Sequence, residues 1–410
     1  MGSRFNLLLI ASQSPWPPTN GVSIKTHALL TSLEPYPCNV DLVFFGHQKD
    51  GLLPPCQYPS SVRRVLILRR LGGFRRLAAL AKQEVRRFPA SERYFHRDNL
   101  NMLKNFMAGQ QYDLVFLDGI CLAFMRTTLG LPSPTILSIN DSYTNTYESK
   151  AESDRHPLSR IVAQLKALRY RTLEQKELVA YDAVHVVARW DAAFLRGLCA
   201  ATNVFSITNG VDCEYYRPSP EPQPFSYDVH AFCNLSDETG RDISTFYKNV
   251  MMEVLRELPS ARMVVVGRCA QRSELRFMKA HHRTIRYLGW VEDIRPSIWA
   301  SKVGVALRRG RPRGVLNKVL QYMAMGLPVV GNREAFNALE GSQEGVHYLC
   351  SDTPEAMAEH IVSLLKNPEL RYRIGTKARE FIVQHLSLKG YGEQFWKAFE
   401  CLVQRSARRR

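Results

Sequence analysis

The chain has 410 residues, enough for two domains with separate cores, and its 45% hydrophobic and 10% aromatic content argues against disorder. Its apolar runs, such as residues 7–11 and 263–267, fall far short of the ~20 residues a membrane-spanning helix needs, and no secretory signal is expected at the N-terminus. The nine cysteines are odd in number and lack any C-x-x-C pair, which fits free thiols in a reducing cytoplasm, while the net charge of +17 admits anionic partners.

In the first half, strand-like segments at residues 5–11, 40–45, 65–68, 113–117, 135–139 and 183–187 alternate with helical patterns, including a long one over about 158–180. Such alternation predicts a parallel sheet with helices on both faces. The first strand runs into Pro15, Pro17, Pro18 and Gly21. Gly21 is either a plain turn residue or a point where backbone approaches a ligand.

Charge concentrates in residues 63–97. Arg63, Arg64, Arg69, Arg70, Arg75, Arg76, Lys82, Arg86, Arg87, Arg93 and Arg97 are opposed only by Glu84 and Glu92. Leu71, Phe74, Leu77, Leu80 and Ala81 are spaced like one helix face among them. The pattern suits a helix on an anionic membrane surface, one gripping a polyanion, or a solvated face that keeps the protein soluble.

The second half opens on Asn209-Gly210-Val211-Asp212, followed by a stretch at residues 217–224 with proline at every second position. That stretch must be extended and is the expected linker. Strand-like segments recur at 229–233, 263–266, 285–288, 303–307, 328–330 and 347–349, again with helices between. Arg268 follows the second of these strands. The adjacent pair His281-His282 suits a surface turn better than a metal site, and no other pattern supports a metal.

The strand at 303–307 runs into Arg308, Arg309, Gly310, Arg311, Pro312, Arg313 and Gly314, and a helix is predicted to open near Val315. Leu316, Val319, Leu320 and Met323 recur at i, i+3, i+4 and i+7 as its packed face. Gly326 ends it before a short buried strand. A cationic loop entering a helix N-terminus favours an anion through backbone N–H groups, the helix dipole and guanidinium forks. The alternative is an ordinary loop whose arginines sit in water. Residues 351–355 (Ser-Asp-Thr-Pro-Glu) start a further helix. The last helix, about 391–403, carries Phe395, Trp396 and Phe399 on one side, ahead of a basic tail.

Three motifs in order carry a resemblance to GT-B glycosyltransferases of the GT4 type, the glycosyl transferases group 1. They are the Pro/Gly loop after the first strand, the Asn209–Asp212 segment with Tyr216, Arg217 and Pro218, and the run Arg313-Gly314, Asn317-Lys318 and Gln321 to Gly326. Within that family the chain most resembles the bacterial exopolysaccharide sugar-transferase branch. The resemblance implies an α/β GT-B fold: two facing Rossmann-like domains, a central cleft, and a final helix crossing back to the N-terminal domain. The expected division is an acceptor-binding domain at 1–212, a linker at 213–226, a nucleotide-sugar-binding domain at 227–386, and the returning helix and tail at 387–410.

It further implies a retaining transfer from a nucleotide-sugar, a UDP- or GDP-sugar, to a cell-surface glycan or lipid-linked acceptor, with no cofactor and no metal. Lys318 would neutralise the donor diphosphate, with the N–H groups near Gly314 and Val315, and with Arg313 and Arg308 adding charge. Asn317 lies in the same first turn, Gln321 would face the ribose, and Gly21 and Arg268 would approach the donor. Asp141 matches a family aspartate facing the cleft and would orient the acceptor hydroxyl, unless it serves as a helix cap. The expected location is cytoplasmic, at the inner face of the membrane if residues 63–97 dock there. Two departures stand out. Gln321 replaces a carboxylate that the family usually carries, and residues 231–235 lack the usual glycine. A nucleic-acid acceptor, or a GT-B-like binding protein without catalysis, are the competing readings.

Overall fold

A computed structural model describes residues 4–46, 58–70, 94, 97–132, 134–154, 156–200, 202–221, 224–232, 240–269, 271–308 and 310–408. The chain divides into two units. The first comprises residues 1–210, 311–314 and 388–410, and the second residues 211–310 and 315–387. The polypeptide thus changes unit at Gly210–Val211, and the Pro-rich stretch expected as a linker falls within the second unit. Arg311–Gly314, expected with the nucleotide-sugar domain, groups with the first unit instead.

The first unit holds seven parallel strands: β1 (Phe5–Ala11), β2 (Cys38–Gly46), β3 (Val62–Arg69), β4 (Leu114–Asp118), β5 (Thr135–Ser138), β6 (Ala183–Val186) and β7 (Val204–Ser206). Their order is β3-β2-β1-β4-β5-β6-β7, so the winding reverses between β1 and β4. Leu7, Leu8, Leu9 and Ile10 are all fully buried, as the continuous apolar run of a central parallel strand requires. Leu8 and Ile10 join one core face; Leu7, Leu9 and Ala11 join the other. On that second face lies the last helix, Leu388–Ala407, through Tyr391, Phe395, Phe399 and Leu402. Burying each of its aromatic rings contributes roughly 1.5–3 kcal/mol, more than helix propensity gives at any one position. Strand β7 escaped sequence reading because only Val204 of its three residues is buried, so no apolar run marks it.

The second unit holds β8 (Tyr227–Phe232), β9 (Met263–Val266), β10 (Ile285–Gly289), β11 (Ser301–Ala306), β12 (Val329–Gly331) and β13 (Leu349–Cys350). The order is β10-β9-β8-β11-β12-β13, all parallel, with its reversal between β8 and β11. The helix expected to open near Val315 is Asn317–Ala324, because Leu316 still has extended backbone and forms the cap position.

Of the basic region at 63–97, Arg63 and Arg64 lie on β3 and both reach the buried carboxylate of Asp41. Tyr112 donates to the same carboxylate at 2.7 Å. The apolar face expected from Leu71 to Ala81 lies outside the described residues. No described helix is long and apolar enough to cross a membrane.

Candidate functional site

In an open α/β sheet, ligands gather beyond the carboxyl ends of the strands where the winding reverses. In the second unit that point is the end of β11. The start of the loop there is fixed at Arg308 by an exchange of hydrogen bonds with Asn332, which follows β12. The Arg308 N–H donates to Asn332 Oδ1 at 2.9 Å, and Asn332 Nδ2 donates to the Arg308 carbonyl at 2.6 Å. Across the loop the Asn317–Ala324 helix begins with no side-chain cap. Asn317 and Lys318, both half-buried, occupy its first turn. A helix start without a capping side chain, and with a lysine beside it, favours an anionic ligand.

The far side of this helix is anchored in the core. Val319, Leu320, Tyr322 and Met323 are buried. Tyr322 Oη lies 2.7 Å from His230 Nδ1, and His230 Nε2 lies 3.0 Å from Ser297 Oγ, which donates to the Ile294 carbonyl at 2.7 Å. Since the Ser297 proton goes to Ile294, His230 donates from Nε2 and accepts from Tyr322 at Nδ1. Burial pushes the His230 ring down to about 3, so it stays neutral. Gly304 on β11 makes room for Tyr322, because an added Cβ would stand 2.8 Å from the ring. Gly326, at φ 72°, closes the helix as its sequence position implied.

Gln321 Nε2 donates to Tyr216 Oη at 2.9 Å. Burial pushes the Tyr216 phenol up to about 12, so it remains a proton donor. Arg379 donates to the Tyr216 carbonyl at 3.2 Å and to the Ala324 carbonyl, which ties the 213–216 segment to the helix. Arg268 is exposed, its guanidinium 5.2 Å from the Trp290 ring centre.

In the first unit, Arg311–Gly314 is held on the helix Tyr143–Ser153. Arg311 pairs with Glu148 at 2.9 Å and with Glu152. Its N–H and the Arg313 guanidinium both donate to Ser149 Oγ at 2.9 Å, and Asn145 Nδ2 donates to the Pro312 carbonyl at 3.1 Å. The Gly314 N–H donates to Asp191 Oδ2 at 2.7 Å, while Asp191 Oδ1 accepts from the Ser142 N–H at 3.0 Å. Gly314 has φ 43°, and a Cβ there would collide with the Asp141 carboxylate. Glycine is required, since its backbone passes between two carboxylates. Burial raises the Asp191 carboxyl to about 7, and the neighbouring Asp141 charge adds to this against the hydrogen bonds from Gly314 and Ser142. The cap of the following helix is Ser142, which accepts from the Asn145 N–H at 3.2 Å, and not Asp141.

Gly21 is the first residue of the helix Gly21–Ser32. The Val22 and Ser23 N–H groups are already taken by Asn20 Oδ1, at 3.1 and 3.2 Å. This end is therefore less available to a phosphate than the uncapped Asn317 helix.

The expected residues thus fall into separate groups. Val315, Asn317, Lys318 and Gln321 lie along one loop and helix. Arg308 and Arg268 follow β11 and β9, which β8 separates in the sheet, and Arg313, Gly314 and Asp141 are together on the first unit. Sequence reading missed Asp191 and named Tyr216 only as part of a motif, with no role at the site. It also missed a buried chain in which Lys25 Nζ meets Asp118 at 2.6 Å and Ser138 Oγ at 2.9 Å, with Ser138 Oγ 2.9 Å from His185 Nδ1. The only local sign of Asp191 is an acidic residue in a helix's first turn. Among the described residues no group of three or more His, Cys, Asp or Glu side chains could hold a metal ion.

Residues 229–367 match the family described as Glycosyl transferases group 1, a span that runs from within β8 past β13 and includes the loop after β11 and the Asn317–Ala324 helix. Over these residues the second unit is similar to group 1 glycosyltransferases. No curated protein matches the chain. Among solved structures, sucrose-phosphate synthase from Thermosynechococcus elongatus is 15% identical with a TM-score of 0.69, covering 98% of this chain and 100% of that one. Anabaena HepE, solved in complex with UDP-glucose, is 15% identical with a TM-score of 0.67 over 97% of this chain and 100% of its own. TarM is 11% identical with a TM-score of 0.66, covering 96% and 98%. At these identities the likeness is one of fold, and the fold is GT-B.

Proposed function

We propose that the chain transfers a sugar from a UDP- or GDP-sugar to a glycan or lipid-linked acceptor, with retention of configuration and without a metal. The observation that carries this is the coincidence of the family match with an uncapped, lysine-bearing helix start beyond the switch-point strand of the same unit. HepE binding UDP-glucose and TarM binding UDP support a nucleotide-sugar as the donor class.

In this reading Lys318 and the helix N–H groups take the diphosphate, and the charge developing on the leaving nucleotide is met by Lys318, Arg308 and Arg313. The acceptor oxygen bonds to the sugar's anomeric carbon as the carbon–phosphate oxygen bond breaks on the same face. The acceptor's proton passes to the departing phosphate oxygen. Asp141 orients the acceptor hydroxyl. Gln321 meets the ribose after exchanging its bond to Tyr216. That existing bond also favours the competing reading, a GT-B-like binding protein without catalysis.

Thermal shift against UDP, GDP and ADP, followed by sugar-nucleotide hydrolysis, tests the proposal. Lys318→Ala should lose one charge-assisted contact, about 1.5–3 kcal/mol or roughly ten- to a hundredfold in affinity. Unchanged nucleotide affinity in a folded Lys318→Ala protein would sink the placement of the donor.

A further inference from the structure

The helix Pro157–Glu177 buries one side and leaves an apolar stripe on the other. Ala163, Ala167, Tyr170 and Glu174 face the core. Turned away from them, Leu158 is 68% exposed, Ile161 and Val162 51%, and Leu165 and Leu168 62%. These five recur at i, i+3, i+4, i+7 and i+10, which at 3.6 residues per turn puts them on one line over about three turns. Singly exposed leucines are ordinary on a protein surface; five large apolar side chains in one line are not. Nothing among the described residues covers them.

The charges beside the stripe choose its partner. Every exposed charged side chain on this helix is basic: Arg160, Lys166, Arg169, Arg171 and Lys176. Arg171 is paired with Glu148, Arg169 and Lys176 fall in line with the stripe, and Lys166 leans over the Tyr147 ring at 5.3 Å. An apolar line flanked by cations along a helix lying flat is the pattern of an interfacial helix on an anionic bilayer. A second copy of the chain fits less well. Two such helices face to face would bring the same cations together, and five side chains on one helix fall well short of the roughly 800 Å² per partner of a stable complex.

We infer that this helix docks the protein on an anionic phospholipid surface, its leucines entering the headgroup boundary and its arginines and lysines meeting the phosphates. The described residues thus offer a membrane contact distinct from the region at 63–97. It is also independent of the donor site.

The test is flotation of the full chain with phosphatidylcholine vesicles, with and without about a third phosphatidylglycerol. The unmodified protein should float with the anionic vesicles and stay behind with the neutral ones. Leu165→Glu/Leu168→Glu should lower the bound fraction at least tenfold, with unfolding temperature and nucleotide binding unchanged, since both side chains face solvent. Arg169→Gln/Lys176→Gln should weaken flotation and flatten its salt dependence. Failure of the unmodified protein to float would overturn the inference, as would flotation of the double-glutamate variant at the parent's level. So would a concentration-dependent dimer that the glutamates dissolve, which would assign the stripe to a second copy.

Discussion

Tyr322→Phe removes one oxygen from beneath the proposed donor helix and leaves everything else in place. The ring is fully buried, and its hydroxyl donates to His230 Nδ1 at 2.7 Å. Without it, Nδ1 keeps its lone pair in an apolar interior while Nε2 remains committed to Ser297. A buried acceptor stripped of its partner costs about 1–3 kcal/mol. For a unit of this size each kcal/mol lowers the unfolding temperature by roughly 2–4 °C. Urea denaturation near neutral pH measures the loss directly. Pairing the change with His230→Leu removes both polar partners, and Ser297 still donates to Ile294, so the double variant should lose clearly less than the sum of the two single variants. Nucleotide affinity should fall less than stability does, because the Phe ring still fills the space beside Gly304. A single variant within about 0.5 kcal/mol of the parent, or strictly additive losses, would refute the claim that this network holds the helix.

Gln321→Glu should keep or tighten nucleotide binding, its carboxylate accepting from the still-protonated Tyr216, whereas Gln321→Leu should weaken it; equal affinities by titration calorimetry would mean that this side chain does not meet the donor. Asp191 gives a pH dependence of defined sign. With its folded carboxyl raised from 3.8 to about 7, the folded protein holds a proton that the unfolded chain has released, so this group's contribution to stability falls as pH rises through that window. Buried His185 and His230, both pulled down to about 3, act oppositely, their contribution falling as pH drops from 6.5. Asp191→Asn should therefore cost more stability at about pH 5 than at about pH 8, and equal costs at both would show that Asp191 is not the group titrating.

Much of the architecture was legible from spacing. β1 matches residues 5–11 and β9 residues 263–266 without adjustment, because continuous β-branched and leucine runs bounded by polar turns fit only a buried strand. The long helix was equally legible: the structure starts it at Pro157, where proline sits without cost, and ends it in a short 3₁₀ turn at Leu178–Ala180. The loop and helix around Lys318 were legible as well, since cationic loop, apolar stripe and closing glycine are all local signals.

What the sequence could not decide is which distant groups meet. Gly314 and Asp191 are 123 residues apart, and Lys25 and Ser138 113 apart. Helix and strand periods are written within a few neighbours, so no pattern near Arg311 says that Arg311–Gly314 will lie on the Tyr143–Ser153 helix. The raised carboxyl of Asp191 likewise depends on burial and on Asp141, and the exposed line on Pro157–Glu177 depends on which side of that helix the core takes. Local sequence determined the elements; the closure of the two cores decided which side chains lost water, which found partners and which were left facing out.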